Sequence, residues 1–255
     1  DCSGVYVNGD YRIKCYHGTA HGHQDFTRSF ANSCNGAFSS LGLGLNLGAF
    51  RDTAKSLLFN SPLPITGLPY KQSSFQMGPG ADTWEILQTS IGQSKSLFTP
   101  LQLATYTATL ANGGVRMKTH LVKSIKSYAL DETVEDIEPE VVVDMGLSET
   151  AVSAIRDGMI RASGQNGYSG TSGAYFGDYP ISVASKTGTP ETTSFPNGTY
   201  ICYAPAEDPQ IAVAVVIENG YHGYWGAAVA KAIFDEYFFG KTNDQLPTAA
   251  DTLLP

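Results

Sequence analysis

The spacing of apolar and polar positions changes character several times along the chain. Residues 1 to 24 run in short extended segments separated by turns. Val5-Tyr6-Val7 and Tyr11-Arg12-Ile13 flank Asn8-Gly9-Asp10, which predicts a hairpin because Asn and Gly accept the positive φ of a tight turn. From Asp25 the period becomes helical: Asp25 is placed to cap, and Phe26 and Phe30 fall on one face. A second helix is expected from near Gly36, weakened by Gly42, Gly44 and Gly48. Residues 60 to 83, rich in Pro, Gly and Ser, read as a long irregular excursion of the kind that is often functional.

The clearest helix follows, with Thr99 as cap, Pro100 in the first turn, and Leu101, Leu103, Ala104 and Leu110 apolar. Asn112-Gly113-Gly114 ends it. Leu121 to Tyr128 suits a strand, and the acidic stretch Asp131 to Glu140 suits solvated surface. Ser148 caps another amphipathic helix with Val152, Ile155 and Met159 inward. A Gly- and Ser-rich loop, Ser163 to Gly177, leads into a strand over Ile181 to Ser185.

Two further strands, Tyr200 to Ala204 and Gln210 to Ile217, are joined by the short Pro205-to-Pro209 connection and so pair antiparallel. Ile211, Val213, Val215 and Ile217 alternate with Ala212, Ala214 and Val216. Both faces of that strand are apolar, which predicts a central place in its sheet. A last helix, Ala227 to Phe239, presents Val229, Ile233, Phe234 and Tyr237. The tail, residues 241 to 255, is polar and expected to be mobile. Helices, then antiparallel strands, then a closing helix predict an α+β domain over residues 1 to 240, its antiparallel sheet flanked by helices.

Composition narrows the partners. Of the 255 residues 42% are hydrophobic, enough for one substantial core. Sixteen Lys and Arg against 24 Asp and Glu give a net charge of -8, with no basic block, so nucleic acid is excluded as a natural partner. No run is apolar enough to span a membrane. Cys2 and Cys15 lie in a polar, Gly- and Tyr-rich stretch that suits a loop closed by a disulfide; spacing alone leaves them bridged or free. Cys34 and Cys202 read as buried thiols. His17, His21 and His23 lack a carboxylate trio, and no metal is expected.

Two short segments carry chemistry. Lys186-Thr187-Gly188-Thr189, at the end of a strand, offers a cation, two hydroxyls and a glycine, a suitable edge for a carboxylate and an approaching backbone. Ser33-Cys34-Asn35 lies at the junction of two helices, where a hydroxyl and an amide one residue apart can face the same cleft. Separately, each also fits an ordinary strand end or helix cap.

In this order they resemble the Ser-x-Asn and Lys-Thr-Gly elements of penicillin-binding proteins and related β-lactamases. The likeness to class B penicillin-binding proteins extends over His21-Gly22, Ile91-Gly92-Gln93, Thr99-Pro100-Leu101-Gln102-Leu103-Ala104, Ala111-Asn112-Gly113-Gly114, Gly158-Met159 and Lys186-Thr187-Gly188-Thr189-Pro190-Glu191. No Glu-x-x-Leu-Asn deacylation motif is present, which sets the chain apart from those β-lactamases.

The resemblance implies a penicillin-binding/β-lactamase-like transpeptidase fold and acyl transfer from peptidoglycan stem peptides ending in D-Ala-D-Ala, with β-lactams as trapping ligands and no cofactor. It implies proton transfer by Ser33, amide binding by Asn35, and positive potential from Lys186. Thr187, Gly188 and Thr189 would form the carboxylate-binding edge, and the Thr189 N–H half of an oxyanion hole. It also implies a place on the extracytoplasmic face of the bacterial membrane.

One element of the set is missing. No lysine is preceded by serine at three positions: Tyr11 precedes Lys14, Asp52 precedes Lys55, Val183 precedes Lys186, and the rest fail likewise. The expectation is a C-terminal portion, incomplete at its N-terminus, whose Ser-x-x-Lys segment belongs to the N-terminal remainder of the same protein. Such a chain alone would be inactive. A β-lactam-binding sensor or pseudoenzyme would retain the same pocket without turnover.

Overall fold

The computed structural model describes residues 1–63, 65 and 69–240, and the polar tail expected to be mobile lies outside them. The chain opens with a hairpin, β1 (Val5–Asn8) and β2 (Tyr11–Lys14), with Asn8 paired to Tyr11 across a Gly9-Asp10 turn. Helix α1 (Phe26–Ala31) follows, capped as expected by the Asp25 carboxylate, which accepts from the Arg28 N–H at 2.7 Å. The single helix expected near Gly36 is two helices, α2 (Asn35–Gly44) and α3 (Leu47–Ser56). Asn46 caps the second by accepting from the Ala49 N–H.

The irregular excursion carries no regular element between Leu57 and Asp82 among the described residues. Side chains hold it in place. Asn60 exchanges hydrogen bonds with the backbone of Phe75, at 2.6 and 3.0 Å. Phe59 packs edge-on against Phe98 and Tyr106. Helix α4 (Thr83–Ser90) ends the excursion, where the spacing of apolar residues predicts no helix. Its signal was Asp82 followed three residues later by Glu85, a cap with an acidic first turn.

Helix α5 (Pro100–Ala111) starts at the Thr99 cap as expected, yet its most buried side chains are polar: Gln102, Thr107 and Thr109. Each is satisfied. Gln102 donates to the Leu57 carbonyl, and the two threonines donate to the carbonyls four residues back. Beyond α5 two small ladders form an outlying region, β3 (Val115–Met117) with β6 (Val141–Asp144) and β4 (Ser124–Lys126) with β5 (Thr133–Asp136). The strand expected over Leu121 to Tyr128 is thus only three residues long. The acidic stretch is exposed, as expected, although part of it pairs as β5.

The main body is three layers. Helix α6 (Glu149–Ala162) is capped by Ser148, and a short α7 (Gly173–Phe176) sits within the Gly- and Ser-rich loop. The sheet is antiparallel in the order β7 (Ala184–Gly188), β8 (Gly198–Ala204), β9 (Ile211–Ile217). Helix α8 (Trp225–Phe239) closes the chain. Tyr200, Cys202 and Ala204 of β8 face Ala227, Ala230 and Phe234 of α8. The alternate residues Ile201 and Tyr203 face Met159, Ile160, Phe30 and Leu110.

One expectation needs correcting. β9 is an edge strand among the described residues, and β8 is the central one. The apolar residues on both faces of β9 reflect α5 and α8 packed on either side, not strand neighbours. In α8 the buried face is Ala227, Ala230 and Phe234. Val229, Ile233 and Tyr237 are 45%, 38% and 53% exposed and, with Trp225, form an apolar stripe at every fourth residue.

Candidate active site at the edge of the sheet

Lys186, Thr187 and Gly188 lie inside β7 rather than beyond it, because the strand begins three residues later than its pattern suggests. Lys186 is opposite Ile201, so its side chain leaves the sheet on the face covered by α1 and α6. Ser185 and its partners lie on the other face. Fully buried, it shares hydrogen bonds with Ser163 at 2.7 Å and Ser172 at 3.0 Å, and the Tyr200 hydroxyl donates to Ser172. This hydroxyl network fixes the back of the strand while satisfying its own buried polar atoms.

Ser33 and Asn35 occupy the corner between α1 and α2. Ser33 turns the chain with φ 50°, in the left-handed region, and Cys34 and Asn35 start the next helix. This corner is delivered to β7 by a close helix crossing. α1 packs on α6 where Gly158 meets Phe30, and a methyl at 158 would lie 2.9 Å from Phe30 Cβ. As a result the Lys186 ammonium donates to Ser33 Oγ at 2.8 Å and to its neighbour's carbonyl, Thr187 O, at 2.8 Å. Burial of the ammonium lowers Lys186 from the ordinary lysine value to about 8. Its two hydrogen-bond acceptors are neutral oxygens.

Asn35 is placed differently from expectation. Its amide donates to the Lys14 carbonyl at 2.8 Å, tying the corner to the N-terminal hairpin and leaving one N–H and the amide oxygen for another partner. Thr187 donates to Thr171 of the Gly- and Ser-rich loop at 3.2 Å, so this loop reaches the strand. Thr189 Oγ1 accepts from the Gly223 N–H at 3.1 Å, which leaves its hydroxyl proton free to donate. Gly223 must be glycine, because a methyl there would run into the Gly188 carbonyl.

Gln93 is a site residue whose role the sequence did not reveal. From the Ile-Gly-Gln turn it donates to the Thr189 carbonyl at 3.2 Å and accepts from the Glu191 N–H at 3.1 Å, clamping the segment after β7. His222, close by, accepts or donates at 3.3 Å to Tyr16 and stacks on Tyr224. Tyr221 and Trp225 are half exposed. Trp225 starts α8, while Tyr221 leans on Phe195.

The structure takes one of the two outcomes that spacing leaves open for Cys2 and Cys15, and Cys34 and Cys202 are buried thiols as read from the sequence. Cys2, Cys15, Cys34 and Cys202 are all free, and burial pushes Cys202 well above the usual thiol range. The other three are neighbours. Cys2 Sγ lies 3.6 Å from Cys15 Sγ, and Cys15 Sγ lies 3.9 Å from Cys34 Sγ. Of the three histidines considered together only His21 joins them, while His23 meets Asp1 and His17 packs on Tyr16. Burial pushes the Cys34 thiol up to about 12, which disfavours the thiolate form that a nucleophile needs.

The edge of β7 therefore combines a lysine, a serine on a strained corner and a row of hydroxyls beside a strand edge with no further strand paired to it among the described residues. Comparison with known proteins gives the family. Residues 1–238 match the penicillin-binding protein transpeptidase domain, and the chain belongs to that family, with the class B penicillin-binding proteins.

It is 36% identical over 197 residues to the peptidoglycan D,D-transpeptidase PbpA of Mycolicibacterium smegmatis, covering 75% of this chain and 38% of that protein. Penicillin-binding protein 2A of Bacillus subtilis is 29% identical over 221 residues, 79% of this chain and 28% of that protein. Among solved structures, penicillin-binding protein A of M. tuberculosis, a ceftriaxone acyl-enzyme complex, superposes with TM-score 0.77 at 28% identity, over 92% of this chain and 54% of that one. The D,D-transpeptidase domain of a peptidoglycan glycosyltransferase from Eggerthella lenta gives TM-score 0.77 at 25% identity, over 93% of this chain and 60% of that one. The chain thus spans well under half the length of these curated relatives.

Proposed function

We propose that the protein carrying this chain is a serine-type peptidoglycan D,D-transpeptidase, and that its nucleophilic serine lies outside these 255 residues. The observation that carries the reading is the 2.8 Å contact between Lys186 Nζ and Ser33 Oγ beside the open edge of β7. The substrate peptide lies along that edge as an added strand. The incoming serine oxygen bonds to the carbonyl carbon of the penultimate D-alanine, the C–N bond breaks, and terminal D-alanine leaves as an amine. Ser33 relays the proton to that nitrogen. The acyl group then passes to an amine of a neighbouring stem peptide, which regenerates the serine.

Lys186 holds Ser33 and supplies positive potential for the terminal carboxylate. Thr187 and Thr189 donate to that carboxylate, Gly188 admits the substrate backbone, and Asn35 uses its remaining amide groups on the substrate amide. The Thr189 N–H supports the oxyanion. β-Lactams acylate the same serine. The preceding residues of the same protein pack on the outer edge of β9 and on the apolar stripe of α8, and the domain works at the extracytoplasmic face of the membrane. No helix among the described residues is long and apolar enough to cross a membrane.

Fluorescent penicillin tests both halves of the reading. The full-length protein is expected to label stoichiometrically at a serine upstream of Asp1, and residues 1–255 alone no better than a denatured control. An unlabelled full-length protein overturns the transpeptidase reading. Covalent labelling of the isolated chain overturns the placement of the nucleophile.

A further inference from the structure

We propose that the outer edge of β5, in the outlying region beyond α5, is a docking strand for a partner protein, whose basic segment, alternating with apolar residues, adds to it as a third strand. The region has no core of its own, since no residue between Met117 and Ser148 is buried. All four residues of β5 are exposed, and so are Ile125 and Lys126 of β4. A ladder of two strands is marginal in water, and a further strand or a covered face is what ordinarily stabilises it. The side chains left uncovered are apolar. Val134 is 68% exposed, Leu130 76%, and Tyr128 fully exposed at the turn. A tyrosine grouped with aliphatic side chains suits a contact surface better than a solvated turn.

Hydrogen bonds hold the hairpin in shape ahead of any contact. The Ser127 N–H donates to the Glu132 carbonyl at 2.9 Å, and its hydroxyl donates to the Asp131 carboxylate at 2.6 Å. The Ser127 carbonyl accepts from the Leu130 N–H at 3.0 Å, and Ile137 N–H to the Lys123 carbonyl ties the far end. Leu130 stands at φ 62°, in the left-handed region where glycine or asparagine fits without cost. A bulky apolar residue kept strained and exposed adds nothing to the hairpin's own stability. A partner's surface gives it a use.

Charge selects both the edge and the partner. From Asp131 to Asp144 the chain carries seven carboxylates and no lysine or arginine. Among the described residues only Glu140 of these is ion-paired, with Lys118 at 2.6 Å. Glu135 lies opposite Ile125 and Asp136 opposite Ser124, so no cation of β4 answers either one. The β4 side instead carries Lys123 and Lys126, cations of the kind that guard a strand edge against pairing. A strand alternating Lys or Arg with β-branched residues meets the carboxylates with its cations and Val134 with its apolar side chains, while its backbone fills the open edge. A second copy paired β5 to β5 would set carboxylate against carboxylate, and an anionic membrane surface is repelled for the same reason.

The inference stands apart from the transpeptidase reading, since its readout is peptide binding. Fluorescence anisotropy of the full-length protein is measured with a labelled peptide of about ten residues alternating Lys with Val, a length that spans one strand. Three controls accompany it: Lys alternating with Ser, Glu alternating with Val, and the Lys–Val peptide N-methylated along one edge. The Lys–Val peptide is expected to bind about tenfold or more tightly than each control. Val134→Ser and Glu135→Lys should each weaken it about tenfold, with fluorescent-penicillin labelling unchanged. Both positions are exposed on β5, and circular dichroism checks that the variants fold. Equal binding of the Lys–Val and Lys–Ser peptides leaves only general charge attraction and overturns the proposal. Undiminished binding of the N-methylated peptide, or by Glu135→Lys, overturns it too, as does a full-length protein that binds none of the peptides. Self-association in sedimentation velocity that Val134→Ser abolishes would assign the edge to a second copy instead.

Discussion

The two partners in the Lys186–Ser33 contact are held by different physics. Lys186 belongs to a strand paired along its whole length with β8 and backed by the Ser163–Ser172–Ser185 hydroxyl network. Ser33 hangs from a six-residue helix, on a left-handed turn, positioned by the Gly158–Phe30 crossing and the Asn35 bond to the hairpin. Ladder hydrogen bonds and core burial make the first side insensitive to most single changes. The second depends on a few close contacts, so small changes there should move the site. In this site the lysine is anchored, and the serine is brought to it.

The largest effect tests the anchored side. In the full-length protein Lys186→Ala should slow β-lactam acylation about 100–1000-fold, because the charge facing the substrate carboxylate is lost while the ladder remains. Stopped-flow labelling with intact circular dichroism checks this, and a change under tenfold would remove Lys186 from the chemistry.

Acidity gives the next effect. Burial holds Lys186 near about 8, so its cation is present below that pH and lost above it. Acylation is expected to fall as pH rises through about 8, and a flat profile to about pH 10 would show that the charge is not used. Stability runs the other way. The folded value lies below the unfolded one, so this group adds stability as pH climbs from about 8 toward the ordinary lysine value.

The delivered side should be more fragile in packing. Gly158→Val forces a side chain into Phe30 and is expected to cost about 1–3 kcal/mol in denaturant unfolding, with slower acylation beyond the stability loss. Equal acylation would separate the crossing from the site. Gln93→Ala removes two hydrogen bonds to residues 189–191 and should cost about 1–2 kcal/mol of transition-state binding, read as kcat/KM. Asp25→Ala, deleting the cap of α1, is expected to cost about 1 kcal/mol of stability with little effect on acylation. A large catalytic loss there would mean that the short helix, rather than the Gly158 contact, sets the position of Ser33.

Local signals made much of this visible in the chain. Thr99, Ser148 and Asp25 cap because their side-chain oxygens precede apolar periodic runs, and all three were readable. Ser33 and Lys186 are 153 residues apart, so only the motif order could join them. The place of β9 was misread because alternation reports which faces are covered, and α5 and α8 cover both faces whatever the strand order. The apolar positions of α8 did not say which face is buried: small residues pack against the sheet, Ala227 and Ala230 allowing approach, while the larger Val229 and Ile233 face outward. His21 was grouped with His17 and His23 by proximity in sequence, whereas the hairpin carries it to three cysteines instead.

The open edge of β7 has a consequence for how copies of this protein meet. A strand with unpaired backbone groups is as good a template for a second copy of itself as for a peptide. Two such edges brought together antiparallel would bring Lys186 of one close to Lys186 of the other, and like charges on facing strands repel. The same ammonium that would welcome a peptide ending in a carboxylate thus discourages self-pairing. Neutralising it would be expected to raise the tendency to aggregate, independently of any chemistry at the edge.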